Sequence, residues 1–192
     1  VPGLPPGDAP LLVSVRRLVA RMGLPDLIDA AGLLAQQGLP FRLAIAGDGA
    51  EREALEARAT DLGLGDRVAF LGRVPDELLP ALYRAADLFV LPTRSLEGYG
   101  MVTAEALASG LPVVATDAGA SAEVLADVEG AQLVPPADPP ALAEALGNLL
   151  ADPDRRQRAA RAARDHAERR LDWSLHVEAF EQAVARGRER HS

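Results

Sequence analysis

The sequence has no cysteine, no lysine and few aromatic residues. Without cysteine, disulfides, thiolate nucleophiles and cysteine-ligated metal sites are excluded. The three histidines, His166, His176 and His191, lie in the last thirty residues, so any chemistry in the first 165 residues proceeds without imidazole. All 20 cationic side chains are arginines, a bias that makes a missing lysine at one position weak evidence.

Long apolar runs are also absent, since none approaches the ~18–20 residues that a membrane-spanning helix needs. No signal-peptide pattern precedes the first apolar run. We therefore expect a cytoplasmic chain. Its formal net charge of −8 gives no general electrostatic support for binding nucleic acid, so no nucleic-acid partner is expected.

Arginine is concentrated in one part of the chain, where ten of the twenty arginines fall between residues 155 and 190. The segment "DRRQRAARAARDHAERR" carries them at helical spacing, which is typical of a solvated helix face. The alternative is that this face docks onto a polyanion or makes peripheral contact with an anionic membrane, at the inner face of the membrane.

Short, nearly continuous apolar runs alternate with amphipathic stretches, and such runs are typical of strands buried on both faces. The predicted strands are residues 11–15, 41–47, 67–72, 87–92, 111–116 and 131–136. Helical patterns lie between them, so the strands are expected to be parallel and joined by right-handed crossovers. The sequence therefore predicts an α/β fold, a Rossmann-like doubly wound parallel sheet of about six strands with helices on both faces.

Composition also predicts the domain organisation. Residues 1–10, "VPGLPPGDAP", have the proline and glycine content of an interdomain linker, and residues 11–171 carry the strand and helix pattern. From residue 139 onward the pattern is purely helical. Residues 172–192 predict a C-terminal helix, expected to pack back toward a preceding domain.

Ligands of an open parallel sheet bind outside the carboxyl ends of the strands, where the strand order reverses. Four loops at predicted strand ends carry arginine, glycine or carboxylate: residues 16–23, 47–49, 72–75 and 97–100. In the first, Arg16, Arg17 and Arg21 bear guanidinium groups that suit phosphate oxygens, and Arg17 is favoured as the inward-pointing one. In the second, Asp48 is expected to cap the next helix, although Gly-Asp-Gly is as often a plain tight turn.

The fourth loop and the helix after it carry the strongest signal. Gly98 and Gly100 let the backbone approach a ligand, and a helix beginning near Tyr99 or Gly100 directs unpaired amides and its positive dipole end into the crevice. Glu97 and Glu105 cannot both grip phosphates, because like charges repel, but a carboxylate accepts bonds from two vicinal hydroxyls of a ribose or sugar. The alternative is structural: Glu97 caps the helix and Glu105 is an exposed helical residue.

The segment "LEGYGMVTAEALASGLPVVATDAGASAEVL" resembles the nucleotide-sugar-binding C-terminal domain of retaining glycosyltransferases of family 4, which have the GT-B fold. Its two glutamates, Glu97 and Glu105, have seven residues between them and fit the family frame nearly position by position. The stretches "RVAFLGRVPDELLPALYRAADLFVLPTRSLEGYG" and "LVPPADPPALAEAL" are similar to the family as well, and the resemblance covers about residues 11–180. It implies one half of a GT-B fold, from a hexosyltransferase-type enzyme that transfers sugar from a nucleoside diphosphate sugar with retention.

The resemblance also implies roles for single residues. Glu105 holds the ribose hydroxyls of the donor. Glu97 meets the donor sugar and the diphosphate, together with the amides of Gly98, Tyr99 and Gly100.

Further roles follow from the same resemblance. Arg17 corresponds to the family's phosphate-binding arginine, so Glu97 and Arg17 are the residues expected to act in catalysis. Val74 falls where the family reads the base. Gly119 and Glu123 match a family element near the phosphate side of the site.

Two positions of the first loop depart from the family pattern. Met22 stands where the family usually has lysine, and Arg16 stands where it usually has glycine. A thioether cannot neutralise phosphate charge, so Arg16 or Arg21 is the expected substitute. The mechanism that the resemblance implies demands no metal or cofactor, and none is expected. Asp152-Pro153-Asp154 matches the Asp-x-Asp pattern of metal-dependent transferases of another fold, but it lies between C-terminal helices, far from the predicted strand ends.

In this family the acceptor-binding site lies in an N-terminal domain that the resemblance does not cover. The chain alone is therefore expected to bind nucleotide sugar weakly and to catalyse no transfer. A sugar-nucleotide epimerase of the same fold and a non-enzymatic nucleotide-binding or pairing module remain alternatives. A dinucleotide oxidoreductase is disfavoured, because no G-x-G-x-x-G follows the first predicted strand.

Overall fold

The computed structural model describes residues 1–172, 174, 177, 180–182 and 186. Each of the six predicted strands is present, within one or two residues of the predicted bounds. The strands are β1 (Leu11–Val15), β2 (Arg42–Ala46), β3 (Val68–Gly72), β4 (Leu88–Leu91), β5 (Val113–Thr116) and β6 (Gln132–Val134). All neighbouring pairs are parallel, in the order β3-β2-β1-β4-β5-β6, so the predicted fold class is confirmed.

Helices connect the strands and cover both faces of the sheet. They are α1 (Leu24–Gln36), α2 (Arg52–Asp61), α3 (Leu79–Ala85), α4 (Met101–Ala108), α5 (Ser121–Leu125), α6 (Pro139–Ala151) and α7 (Pro153–Arg170). Proline opens α6 and α7, where its missing amide costs nothing. The Asp138 and Asp152 carboxylates cap these helices by accepting bonds from Ala141 N and Arg155 N.

Successive residues of the central strands point to opposite faces, and each face has its own core. Leu12, Leu88 and Val114 belong to the core beneath α1, α2 and α6. Val13 and Phe89 belong to the core beneath α3, α4 and α7. Burial on both faces is the reason that these strands read as continuous apolar runs.

The strand order reverses between β1 and β4. The chain winds from β1 outward through β2 to β3, and then crosses back so that β4 pairs with the other edge of β1. The loops after β1 and β4 therefore diverge from two neighbouring strand ends, which leaves a crevice for a ligand.

The two terminal segments differ in what the structure describes. Residues 1–10 contain neither helix nor strand, and Arg42 holds them by donating to the carbonyls of Pro5 and Ala9. Most of the predicted C-terminal helix at 172–192 lies outside the described residues. Within the part that is described, we find no helix with the length and apolar character that crossing a bilayer requires.

Candidate functional site

The loops at the carboxyl edge of the sheet are joined to one another by backbone hydrogen bonds. Arg16 N donates to Ala46 O at 2.9 Å, and Gly47 N donates to Gly72 O at 2.7 Å. Arg94 N donates to Arg21 O at 2.9 Å, which ties the loop after β4 to the loop after β1. The loops after the first four strands are thus held against one another at this edge.

An open crevice of about 450 Å³ lies at this edge. Its lining combines arginine, aspartate and apolar side chains from the ends of β1, β2 and β3 and from the first turn of α4. The lining residues are Val15, Arg16, Arg17, Ala46, Gly47, Asp48, Arg73, Val74, Asp76, Leu79 and Val102. Three predicted site residues, Arg16, Arg17 and Val74, therefore lie around one cavity.

Arg16 and Glu97 form a buried ion pair beside the crevice. Arg16 Nη2 lies 2.5 Å from Glu97 Oε2, and the two side chains are only 6% and 9% exposed. Thr93 completes the cluster, because its hydroxyl accepts a bond from Arg16 Nη2 at 3.0 Å and donates one to Glu97 Oε2 at 2.7 Å. Charge-assisted bonds of this kind fix the Glu97 carboxylate more firmly than neutral ones do.

The three arginines of the first loop have different surroundings, and the expectation that Arg17 is the inward one is wrong. Arg16 is the buried arginine, whereas Arg17 is exposed at the rim of the crevice. Arg21 donates from Nη1 to the carbonyl of Leu96 at 2.9 Å, so it supports the fourth loop.

The helix after the fourth loop begins at Met101, one or two residues later than predicted, with Gly100 as its N-cap. Val102 places the first turn at the crevice wall. Among the described residues no side chain caps this helix, so Glu97 does not have the capping role of the structural alternative. The first amides of α4 are left for a ligand or solvent.

Glu105 is held by a tyrosine that the sequence analysis did not single out. Tyr83 Oη donates to Glu105 Oε2 at 2.8 Å, from a ring that is 2% exposed and packs edge-on against Phe89. Burial, and then the bond to Glu105, raises the pKa of the Tyr83 phenol well above its usual value, so it stays a donor. The placement of α3 beside α4 brings the Tyr83 hydroxyl to Glu105, a contact that the sequence alone does not show.

Replacing Tyr83 with phenylalanine is expected to lower the free energy of unfolding by about 1 kcal/mol, because the bond to Glu105 is lost. Urea unfolding followed by circular dichroism measures this. Tyr99→Phe is the matched control, since the Tyr99 ring is 50% exposed. Equal midpoints for the two variants would show that the bond to Glu105 contributes nothing.

Gly119 brings a fifth loop against Glu97. A Cβ atom at Gly119 would lie 2.1 Å from the carbonyl oxygen of Glu97, and Ala120 N donates to that carbonyl at 3.3 Å. With φ at +58°, position 119 favours glycine on both grounds. Glu123 is exposed and shares a separate surface groove with Tyr99, so it does not line the main crevice.

Two carboxylates with suggestive spacing have local roles. Asp48 does not cap α2: its Oδ1 accepts from Gly49 N at 2.8 Å, and the N-cap of α2 is Glu51. Asp152 of the Asp-x-Asp pattern caps α7. Among the residues that the structure describes, no cluster of three or more histidine or carboxylate side chains could hold a metal ion.

Comparisons with known proteins give consistent matches. The family model described as Glycosyl transferases group 1 matches residues 2–166. The GDP-mannose-dependent alpha-(1-6)-phosphatidylinositol monomannoside mannosyltransferase of Mycolicibacterium smegmatis is 38% identical over 173 residues, which cover 87% of this chain and 45% of that relative. The chain thus spans less than half of that relative's length.

Two solved structures share the architecture. HepE from Anabaena, in complex with UDP, has a TM-score of 0.83 at 27% identity, over 92% of this chain and 49% of that one. The C-terminal domain of a glycosyl transferase group 1 family protein from Francisella tularensis has a TM-score of 0.77 at 26% identity. That match covers 86% of this chain and 89% of the Francisella domain, so the two are similar in extent.

Proposed function

Because this chain belongs to the group 1 glycosyl transferases, with the fold of the C-terminal half of a GT-B enzyme, we propose that it binds the nucleoside diphosphate sugar donor. The parent protein would transfer the sugar to an acceptor with retention at the anomeric carbon. The observation that carries the proposal is the crevice at the carboxyl ends of β1, β2 and β3, where Arg16, Arg17 and the start of α4 meet.

The crevice carries three arginines, Arg16, Arg17 and Arg73, beside the two aspartates Asp48 and Asp76, and its guanidinium groups suit a diphosphate. Arg16 and Arg17 line it, and the first turn of α4 directs amides and the positive end of the helix dipole toward it. In the parent enzyme these groups would stabilise the charge that grows on the departing diphosphate as the glycosidic bond breaks. The complex of HepE with UDP supports this ligand class.

The hydroxyl-bearing parts of the donor would be bound by the two glutamates. On this proposal Glu105, oriented by Tyr83, accepts bonds from the ribose, and Glu97, oriented by Arg16, meets the sugar and the diphosphate. Gly98, Tyr99 and Gly100 would provide backbone contacts, and Val74 would lie against the base. An acceptor-binding domain would complete the cleft, so the chain alone would bind the donor and transfer nothing.

Calorimetric titration of the chain with UDP, GDP and ADP tests the proposal. We expect at least one nucleotide to bind, and Glu105→Gln to lower its affinity by about 10- to 100-fold, since a hydrogen bond to a charged group contributes ~1.5–3 kcal/mol. UDP and GDP are chosen because HepE was solved with UDP and the Mycolicibacterium relative depends on GDP-mannose.

The matched control is Glu144→Gln, an exposed glutamate of α6 in a groove beside the end of α1, at the opposite edge of the sheet. Its affinity should equal that of the unmodified chain. If no nucleotide bound, the donor-binding proposal would fail. If the two variants bound alike, the ribose role of Glu105 would be wrong.

A further inference from the structure

The cation beside Glu97 is the guanidinium of Arg16, the residue directly after β1. Arg16 is the one arginine classed as buried among the residues that the structure describes. All hydrogen bonds of its guanidinium within those residues are made by Nη2, which contacts Met22, Thr93 and Glu97. Nε is buried without a partner there.

Met22 shares the space of this guanidinium. Its Sδ lies 2.6 Å from Arg16 Nη2, and the residue is 5% exposed. A lysine at position 22 follows the same path as methionine for its first bonds and is longer, so its ammonium would reach the position of the guanidinium. Two cations cannot share that buried space, because their repulsion is poorly screened there.

The neighbouring arginines are engaged elsewhere. Arg21 bonds to the Leu96 carbonyl, and Arg94 forms a two-bond pair with Asp26 at 2.7 Å. Arg16 is therefore the cation that neutralises Glu97 in this part of the structure.

We propose that Arg16 and Met22 are a compensating pair, in which the buried cation of the donor site is supplied from position 16 and position 22 must be neutral. The family pattern described above has glycine and lysine at these two positions, so the charge would come from the other end of the same loop. Arg16 positions Glu97 through Nη2. Because a guanidinium has five N–H donors, it keeps others for the donor diphosphate, a role that rests on the donor-binding function proposed above.

A double-mutant cycle tests this pair. Arg16→Ala leaves Glu97 without its counter-charge, and Met22→Lys introduces a second cation. Each substitution is expected to lower the melting temperature by about 5–10 °C, because in a chain of this size a loss of 1 kcal/mol in stability lowers the melting temperature by ~2–4 °C. Each should also weaken binding of UDP or GDP at least tenfold. The double variant Arg16→Ala with Met22→Lys should recover more than half of both losses.

Arg16→Ala with Met22→Leu is the matched control, because it changes the same two positions without supplying a charge and should recover neither loss. Additive losses in the charged double variant would refute the compensating pair. The melting temperatures are measured without ligand, so they test the compensating pair independently of nucleotide binding. If the unmodified chain bound neither UDP nor GDP, only the donor-binding function would be refuted. Unchanged binding of UDP or GDP by Arg16→Ala would refute the diphosphate role of Arg16.

Discussion

Glutamine at position 97 is expected to lower the free energy of unfolding by about 3 kcal/mol, even with no ligand present. The carboxylate of Glu97 is the counter-charge of Arg16, and both side chains are more than nine-tenths buried. Removing one partner of a buried ion pair leaves the other charge desolvated and uncompensated, which typically costs ~3–5 kcal/mol. Glutamine keeps the shape and one acceptor oxygen, so the loss isolates the charge.

Urea unfolding monitored by circular dichroism measures the effect. Glu56→Gln is the matched control, because Glu56 also pairs with an arginine, Arg52, through one 2.8 Å contact, but those side chains are 43% and 34% exposed. An exposed pair of this kind contributes ~0–1 kcal/mol. If both variants lost the same free energy of unfolding, the Arg16–Glu97 pair would contribute no more to stability than an exposed ion pair.

The strand and helix pattern could be predicted because both faces of this sheet are covered. Burial of Leu12 on one face and Val13 on the other requires unbroken apolar runs, and such runs are visible in a single sequence. The position of the crevice was predictable for a related reason, since the carboxyl ends of parallel strands lie along one edge of the sheet.

Side-chain directions at that edge were not predictable. The loop from Arg16 to Gly23 combines an irregular turn with a 3₁₀ segment, Ala20–Met22, so no constant period relates its side chains to the crevice. Sequence spacing consequently favoured Arg17, whereas the structure buries Arg16. Thr93 was missed for a similar reason: one threonine after a strand carries no signal until Arg16 and Glu97 lie beside it.

Alanine at position 47 is expected to cause the other large effect, a loss of about 4 kcal/mol in the free energy of unfolding. Gly47 has φ at +137°, and a Cβ there would lie 1.7 Å from the carbonyl oxygen of Arg16. The obstacle is backbone, which cannot rotate away as a side chain can. The loop bearing Arg16 and Arg17 would have to move, and losses of this size follow when backbone strain and a clash combine.

Alanine substitutions at two other glycines separate the cost of backbone strain from the cost of a steric clash. Gly63 has φ at +69°, and no atom of the described part of the chain lies within 4 Å of its Cβ position, so Gly63→Ala should cost only the ~1–2 kcal/mol of a left-handed conformation. Gly65 has neither constraint, so Gly65→Ala should be neutral or stabilise by up to about 1 kcal/mol through the unfolded chain. The same urea unfolding experiment should rank the three in that order.

The ranking bears on function because Gly47 lines the crevice and Gly63 and Gly65 do not. Glycine at position 47 permits the end of β2 to approach the end of β1 closely enough that Arg16 N bonds to Ala46 O. That approach fixes the backbone position of Arg16, and from there the guanidinium reaches Glu97. Gly47→Ala should therefore abolish nucleotide binding at concentrations where Gly63→Ala retains it, and equal binding by the two variants would show that the donor site does not depend on this contact.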